Sequence, residues 1–166
     1  MRRSPAARVL GSLGCALAIR AFVTRVQASP VEDRATAREL AIAGIEATQV
    51  GDCSKAIDLL KRAEALYHAP THLQFLARCY ARERRLVEAT ETLRVLQQER
   101  VTSTSPEAFR AAVDEADREL PRLVARLAHL SVVVHGASSG VVVTIDDHVL
   151  PAAAQGVPRI VDPGRH

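Results

Sequence analysis

The hydrophobic positions in the middle third of the chain form one pattern that occurs twice, about 33 residues apart. Within each copy the apolar or small residues recur every three or four positions, as on one face of an α-helix, with a polar break after the third. The first copy is Leu40, Gly44, Ala47, Ala56, Leu60 and Ala63, and the second is Leu73, Ala77, Tyr80, Ala89, Leu93 and Leu96. A repeat of this length indicates helix–turn–helix units that bury their apolar faces against each other.

The same periodicity predicts the limits of four helices. They cover residues 37–49, 54–67, 71–81 and 86–98, and the polar residues 29–36 precede the first. Gly51-Asp52 separates the first pair. Because proline cannot join an existing helical ladder, we expect Pro70 to end the second helix and Thr71 to cap the third.

A fifth helix is predicted after residues 103–107, where hydroxyl residues, Pro106 and Glu107 make a strong helix start. Its apolar stripe is Phe109, Ala112, Val113, Ala116 and Leu120. Such a stripe is suited to cover the last exposed face of a repeat array. We expect Pro121 to kink or end this helix.

The period then changes to that of β-strands. Residues 131–135 and 141–145 are β-branched runs separated by a Gly/Ser-rich stretch, which predicts a hairpin. Asp146-Asp147 predicts a second turn, into residues 148–151. The fold class expected is therefore mainly α, with about five helices as helical hairpins followed by a small antiparallel β module.

The helical part resembles the tetratricopeptide repeat over residues 37–101. That family has a small residue where its two helices cross, which Gly44 and Ala77 supply, and an early alanine in its second helix, supplied by Ala56 and Ala89. The resemblance implies a non-enzymatic domain that binds a protein or an extended peptide in a groove formed by the first helix of each repeat. By analogy, the contact residues would include Arg38, Glu46, Gln74 and Arg78.

Residues 129–166 resemble part of a small β-sandwich module of bacterial envelope proteins that is named after a Pro-Glu-Gly-Ala (PEGA) signature. Asp146, Pro163, Gly164 and His166 are the matching positions, and the signature itself is missing. In that module another strand follows the Pro-Gly turn. We therefore expect either a longer chain in nature or a sheet with an open edge.

The first 28 residues are typical of a secretory signal. Five arginines and no acidic residue lie there, and an apolar run over residues 9–19 precedes the small residues of Val26-Gln27-Ala28. Arg20 and Arg25 interrupt the usual pattern, so a basic tail on a cytoplasmic protein is the alternative. Export would place residues 29–166 in the periplasm or cell envelope. Membrane attachment is expected only if Cys15, in a weak lipoprotein-like sequence, is lipidated.

Charge and composition restrict the class of partner. Residues 29–166 hold 17 Lys+Arg against 19 Asp+Glu, a net charge of −2. Because a nucleic-acid-binding protein concentrates positive charge on its folded part, we expect no nucleic-acid partner. Only 3% of the residues are aromatic, and the apolar content is mostly Ala, Val and Leu, which suits close-packed helices better than a cavity for a small-molecule substrate.

Two sequence motifs resemble a catalytic site and a metal site, but each is better explained by a turn of the chain. Ser138 lies in a Gly-x-Ser-x-Gly sequence, but a β-branched run follows where a catalytic elbow requires a helix. His68 and His72 have the spacing of a metal pair, yet Pro70 between them indicates a turn. We expect no catalytic residue, no metal and no cofactor. An envelope structural protein, attached through its β module, is the alternative to the adaptor.

Two cysteines are candidates for a disulfide. In an array of helical hairpins the third helix runs antiparallel along the second, so Cys79, late in the third, lies near Cys53, which opens the second. An oxidising compartment would permit the bond. The alternative is that both are small buried side chains.

Overall fold

The computed structural model describes residues 29–136 and 141–166. Its elements are α1 (Pro30–Gln49), α2 (Cys53–Leu66), α3 (Pro70–Arg82), α4 (Leu86–Gln97), α5 (Glu107–Val124), β1 (Ala128–Leu130), β2 (Thr144–Ile145), β3 (His148–Val149), a short 3-10 helix (Ala152–Ala154) and β4 (Arg159–Val161). Each helix packs on the next, and α3 also contacts α5. The prediction of five helices followed by a small antiparallel β module is confirmed. The leader with Cys15, and Ser138, lie outside the described residues.

The repeated positions form the core. Eleven of the twelve are buried and Leu40 is half-buried, so the sequence period identified the packed faces. Gly44 marks the place where α1 crosses α2 most closely, because a Cβ atom built on it would lie 2.8 Å from Cγ of Leu60. In the second repeat Ala77 and Leu93 occupy the corresponding positions, and both are buried.

Three predicted details of the helix ends need correction. The first helix begins at Pro30, seven residues earlier than predicted, because Ser29 and Glu32 form a reciprocal capping box. α3 begins at Pro70, so Thr71 lies inside its first turn and is not the cap. Proline suits this first position because the N–H group it lacks would have no partner there. α5 continues through Pro121 to Val124, so of the two effects expected of Pro121 the structure excludes the end of the helix.

The strand pairing also differs from the prediction. Ala128–Leu130 pairs antiparallel with Arg159–Val161, and the described residues of 131–136 and 141–143 belong to no strand. Both of these runs bond to later parts of the chain: Gly156 N donates to Val132 O, and Leu150 N donates to Val143 O, each at 2.8 Å. The hairpin predicted between residues 131–135 and 141–145 is therefore wrong.

The second predicted turn is confirmed. Thr144–Ile145 and His148–Val149 pair antiparallel around Asp146 and Asp147, whose φ angles of 48° and 62° are those of a tight two-residue hairpin turn. His166 connects this turn to the residue after β4, since its Nδ1 lies 2.7 Å from Asp146 Oδ2 and its Nε2 lies 2.6 Å from Asp162 O. Asp162 also accepts a hydrogen bond from Val87 N at 2.8 Å, which joins the β module to α4.

No helix within residues 29–136 or 141–166 is both long enough and apolar enough to cross a lipid bilayer.

Candidate functional site

A groove of about 210 Å³ runs between α1, the α2–α3 junction and the start of α5. Its apolar wall is formed by Ala37, Ala41, Ile42, Ile45 and Phe109. Ile42 is 52% exposed. The groove is therefore open to solvent and presents apolar side chains to it.

The charge in this groove has one sign. Arg34 and Arg38 both line it, and none of the lining side chains within residues 29–136 and 141–166 is acidic. The guanidinium of Arg34 lies 5.0 Å from the ring centre of Tyr67, within cation–π range, so Tyr67 orients it. Arg38, one turn further along α1, is exposed. An occupant with apolar and anionic groups is complementary to this surface.

The four contact residues proposed from sequence do not lie together. Arg38 lines the groove. Glu46 is exposed further along α1 and is not one of the groove-lining residues in the described part of the chain. Gln74 and Arg78 instead turn towards α5, where they meet a residue that the sequence analysis did not consider.

That residue is Glu115. Its Oε2 accepts a hydrogen bond from Gln74 Nε2 at 2.7 Å, and its Oε1 accepts one from Arg78 Nε at 2.6 Å. Burial alone would raise the pKa of Glu115, but the hydrogen bonds from Arg78 and Gln74 outweigh burial and lower it. Its position three residues after Ala112, at the edge of the apolar stripe of α5, was the available sequence signal.

This ion pair changes the role of Arg78. Hydrogen bonding to Glu115 raises the pKa of the Arg78 guanidinium, which also lies 4.9 Å from the ring centre of Phe75. One edge of the guanidinium is therefore bonded to Glu115, and one of its faces packs on Phe75. We conclude that Gln74 and Arg78 join α3 to α5, whereas Arg34 and Arg38 of α1 line the groove.

A second cleft, of about 450 Å³, lies between α2 and α4 with α3 beneath it. Leu73, Leu76 and Tyr80 contribute to it, and Val95 is 51% exposed at its edge. Its charged residues, Lys61, Glu64 and Glu91, are of both signs. This cleft is larger than the groove on α1, but it lacks a charge pattern that would select an occupant.

His68 and His72 converge on one carboxylate. His72 Nδ1 donates to Glu64 Oε2 at 3.0 Å, and Ala69 N donates to the same oxygen at 3.2 Å. His68 bonds to Glu64 Oε1 through Nδ1, and its Nε2 lies 2.9 Å from Glu99 Oε1. The turn around Pro70 thus brings the two histidines together across the α2–α3 junction.

The protonation of this cluster follows from its contacts. The hydrogen bond to Glu64, opposed by burial and supported by Glu99, raises the pKa of His68. Burial would raise the pKa of Glu64, yet its bonds to His72, His68 and Ala69 lower it. Over the described residues no group of three or more His, Cys, Asp or Glu side chains is arranged to hold a metal ion.

Cys53 and Cys79 are both buried and both free thiols. Thr48 Oγ1 lies 3.5 Å from Cys79 Sγ. Burial, and next the hydrogen bond with the Cys53 thiol, raise the pKa of Cys79 to about 11. Both thiols belong to the buried core cluster that the helices form.

No protein-family model, curated protein or solved structure matches this chain.

Proposed function

We propose that this protein is a non-enzymatic adaptor that binds a protein or peptide partner through the groove on α1. The observation that carries the proposal is a solvent-open, apolar groove whose lining charges are Arg34 and Arg38. Apolar side chains in a recess provide most of the binding free energy at protein interfaces, and fixed charges at the rim select and orient the partner. The resemblance of residues 37–101 to the tetratricopeptide repeat supports the same function.

The partner is expected to be an extended segment rather than a folded domain. A groove of this size accommodates a few side chains, and it lies along one helix between two neighbouring elements. Because Gln74 and Arg78 are engaged by Glu115, we move the proposed contact surface from the four residues named by analogy to Arg34, Arg38 and Ile42.

The experiment is affinity capture with the full chain, followed by quantitative mass spectrometry of what is retained. The test variant is Arg38→Glu combined with Ile42→Asp. Val95→Asp is the control, because Val95 is exposed to the same extent as Ile42 (51% against 52%) but lies at the α2–α4 cleft. We expect the double variant to lose a partner that Val95→Asp retains.

Two results would contradict this site. A partner that is retained equally by wild type and by the double variant does not use the groove. A partner that is lost only with Val95→Asp binds in the α2–α4 cleft. Circular dichroism of each variant distinguishes a lost contact from a lost fold.

We further propose that the protein acts in the periplasm or cell envelope. The support is the leader pattern of residues 1–28, which has five arginines, no acid and a short apolar run. Mass spectrometry of the N-terminus in fractionated cells tests this. A mature chain that begins near Ser29 in the envelope fraction is the expected result, and an intact leader on cytoplasmic protein would contradict it.

An envelope structural protein, attached through the β module, is the second candidate. One observation favours it: the module exposes a group of apolar side chains, namely Val133, Val141, Val142, Val149, Val157 and Ile160. Replacing Val142 and Val149 with serine should release such a protein from the envelope fraction. The same replacement at the exposed Val50, on the helical part, is the control. An adaptor would keep its partner in both variants.

A further inference from the structure

The buried thiols of Cys53 and Cys79 lie at a point where three helices meet. Cys53 is the first residue of α2, and Cys79 is in the last turn of α3. The end of α1 adjoins them through Thr48, whose hydroxyl lies 3.5 Å from Cys79 Sγ and whose carbonyl accepts a hydrogen bond from Arg82 Nη1 at 2.7 Å. A bond between the two sulfur atoms would therefore join the first repeat to the second at their junction.

The two side chains are also shielded from solvent. Cys53 is 5% exposed and Cys79 is fully buried. The turn between α1 and α2, in which Asp52 N donates to Ala47 O at 2.9 Å, folds Cys53 back onto the end of α1, where Thr48 contacts Cys79. The two cysteines therefore lie at the same junction, at facing ends of antiparallel helices, which is the placement that a disulfide requires.

We propose that Cys53 and Cys79 form a structural disulfide when the chain folds in an oxidising environment. The oxidant is a disulfide of a small thiol or of a dithiol oxidoreductase. One cysteine thiolate attacks a sulfur of that disulfide and releases the first thiolate, leaving a mixed disulfide. The second cysteine thiolate then attacks the protein sulfur and releases the other thiolate, so the two protein protons end on two released thiols.

The order of events follows from burial. Cys79 is completely buried and Cys53 is 5% exposed, so neither sulfur is accessible to a disulfide reagent once the helices have packed. Oxidation in the folded protein is therefore slow, and the bond forms while the chain folds, before the junction of α1, α2 and α3 is closed to solvent. Once formed, burial protects it from reductants in the same way. The disulfide would therefore stabilise the junction between the repeats, and it would not be reduced and formed again in the folded protein.

The test uses the full wild-type chain and peptide mapping. The protein is refolded in a mixture of reduced and oxidised glutathione, its free thiols are alkylated, and it is digested with trypsin. Arg8 and Arg20 flank Cys15, whereas Lys55, Arg78 and Arg82 place Cys53 and Cys79 on separate peptides. The expected product is a peptide that joins Cys53 to Cys79, with Cys15 in neither half.

Stability and rate provide two independent measurements. Closing a loop of about 25 residues should raise the folding equilibrium constant on the order of 100-fold over the reduced protein. Adding oxidised glutathione to the folded, reduced protein should form the bond at least about 10-fold more slowly than adding it during refolding. Cys15→Ser is the control and should change neither result.

The proposal fails if Cys53 and Cys79 are both alkylated after oxidative refolding, or if either is joined to Cys15. Equal rates of oxidation in the folded and refolding protein would overturn the order of events. Because all of these measurements use wild type or a change in the leader, none depends on a core variant that folds poorly.

Discussion

Asp162, in the β module, caps helix α4 by accepting a hydrogen bond from the backbone N–H of Val87 at 2.8 Å. The residue at the start of α4, Arg85, makes no side-chain cap of its own. A helix start leaves backbone N–H groups without partners, and an acidic side chain there also interacts favourably with the helix dipole. The cap of α4 is thus supplied from 75 residues further along the chain.

Replacing Asp162 with alanine should destabilise the protein by about 1 kcal/mol, since that is the usual cost of losing a capping side chain. The measurement is urea unfolding of the full chain. Asp162→Asn is the matched variant, because an amide oxygen still accepts the bond from Val87, and it should lose less. Equal losses in the two variants would show that the carboxylate does not act as a cap.

Gly44→Ala should destabilise the helical domain by about 1–2 kcal/mol. Alanine favours a helix over glycine by up to about 1 kcal/mol, but a Cβ atom here would lie 2.8 Å from Cγ of Leu60, which is completely buried. The clash therefore outweighs the gain in helix propensity.

A double-mutant cycle tests this cause. Leu60→Ala removes the atoms that clash and by itself should cost about 2–5 kcal/mol. If the clash is the cause, the combined variant is more stable than the sum of the two single losses predicts. Additive losses would mean that Gly44 is required for another reason.

Glu115→Gln should destabilise the α3–α5 contact by about 1 kcal/mol at pH 7, because it removes the charge that holds Arg78 and Gln74. The folded state lowers the pKa of Glu115, so its stabilising contribution is present above the unfolded pKa and is lost as the pH falls through the folded pKa. The difference between wild type and variant, measured by urea unfolding, should therefore disappear at strongly acidic pH.

Asp58→Asn is the control for that experiment. Asp58 lies on α2 and pairs with Arg62 at 3.3 Å, four residues away, with both side chains at least 60% exposed. Exposed pairs of this kind contribute at most about 0.5 kcal/mol. A loss at position 58 equal to that at position 115 would contradict the special role of Glu115.

His68→Gln should reduce stability at acidic but not at alkaline pH. The folded state raises the pKa of His68, so its contribution is complete below the unfolded pKa of about 6.5 and is lost as the pH rises through the folded pKa. Because the side chain is half-exposed, the effect should be below about 1 kcal/mol. Unfolding at pH 5.5 and pH 8.5 measures it, and an effect that grows with pH would contradict the assignment.

Much of the helical fold was predictable because its signal is local. The repeat identified eleven buried positions, and the polar breaks identified the turns. The predicted starts of α1 and α3 were wrong because, at both places, the side chain of a single residue or pair of residues determines where the helix begins. Ser29 and Glu32 extend α1 by a mutual cap, and Pro70 starts a helix because it occupies the one place where its missing N–H has no cost.

The candidate site was predictable only in part. Arg38 lines the groove, but Gln74 and Arg78 are held by Glu115, which lies 37 residues beyond Arg78. Analogy missed this acid, since an ion pair between α3 and α5 depends on how far the two helices are rotated against each other. The groove residues Ile42 and Phe109 were missed for the same reason.

By itself the sequence determined what repeats at short range: the helices, their buried faces, the close crossing at Gly44 and the tight turn at Asp146-Asp147. Wherever one face of a helix or strand is packed, apolar residues recur along the sequence with the period of that element. Such features can therefore be predicted from neighbouring residues alone. The tertiary structure alone decided which distant groups meet: Asp162 with Val87, Glu115 with Arg78, and β1 with β4. Those contacts depend on single hydrogen bonds and charges, which leave no period in the sequence.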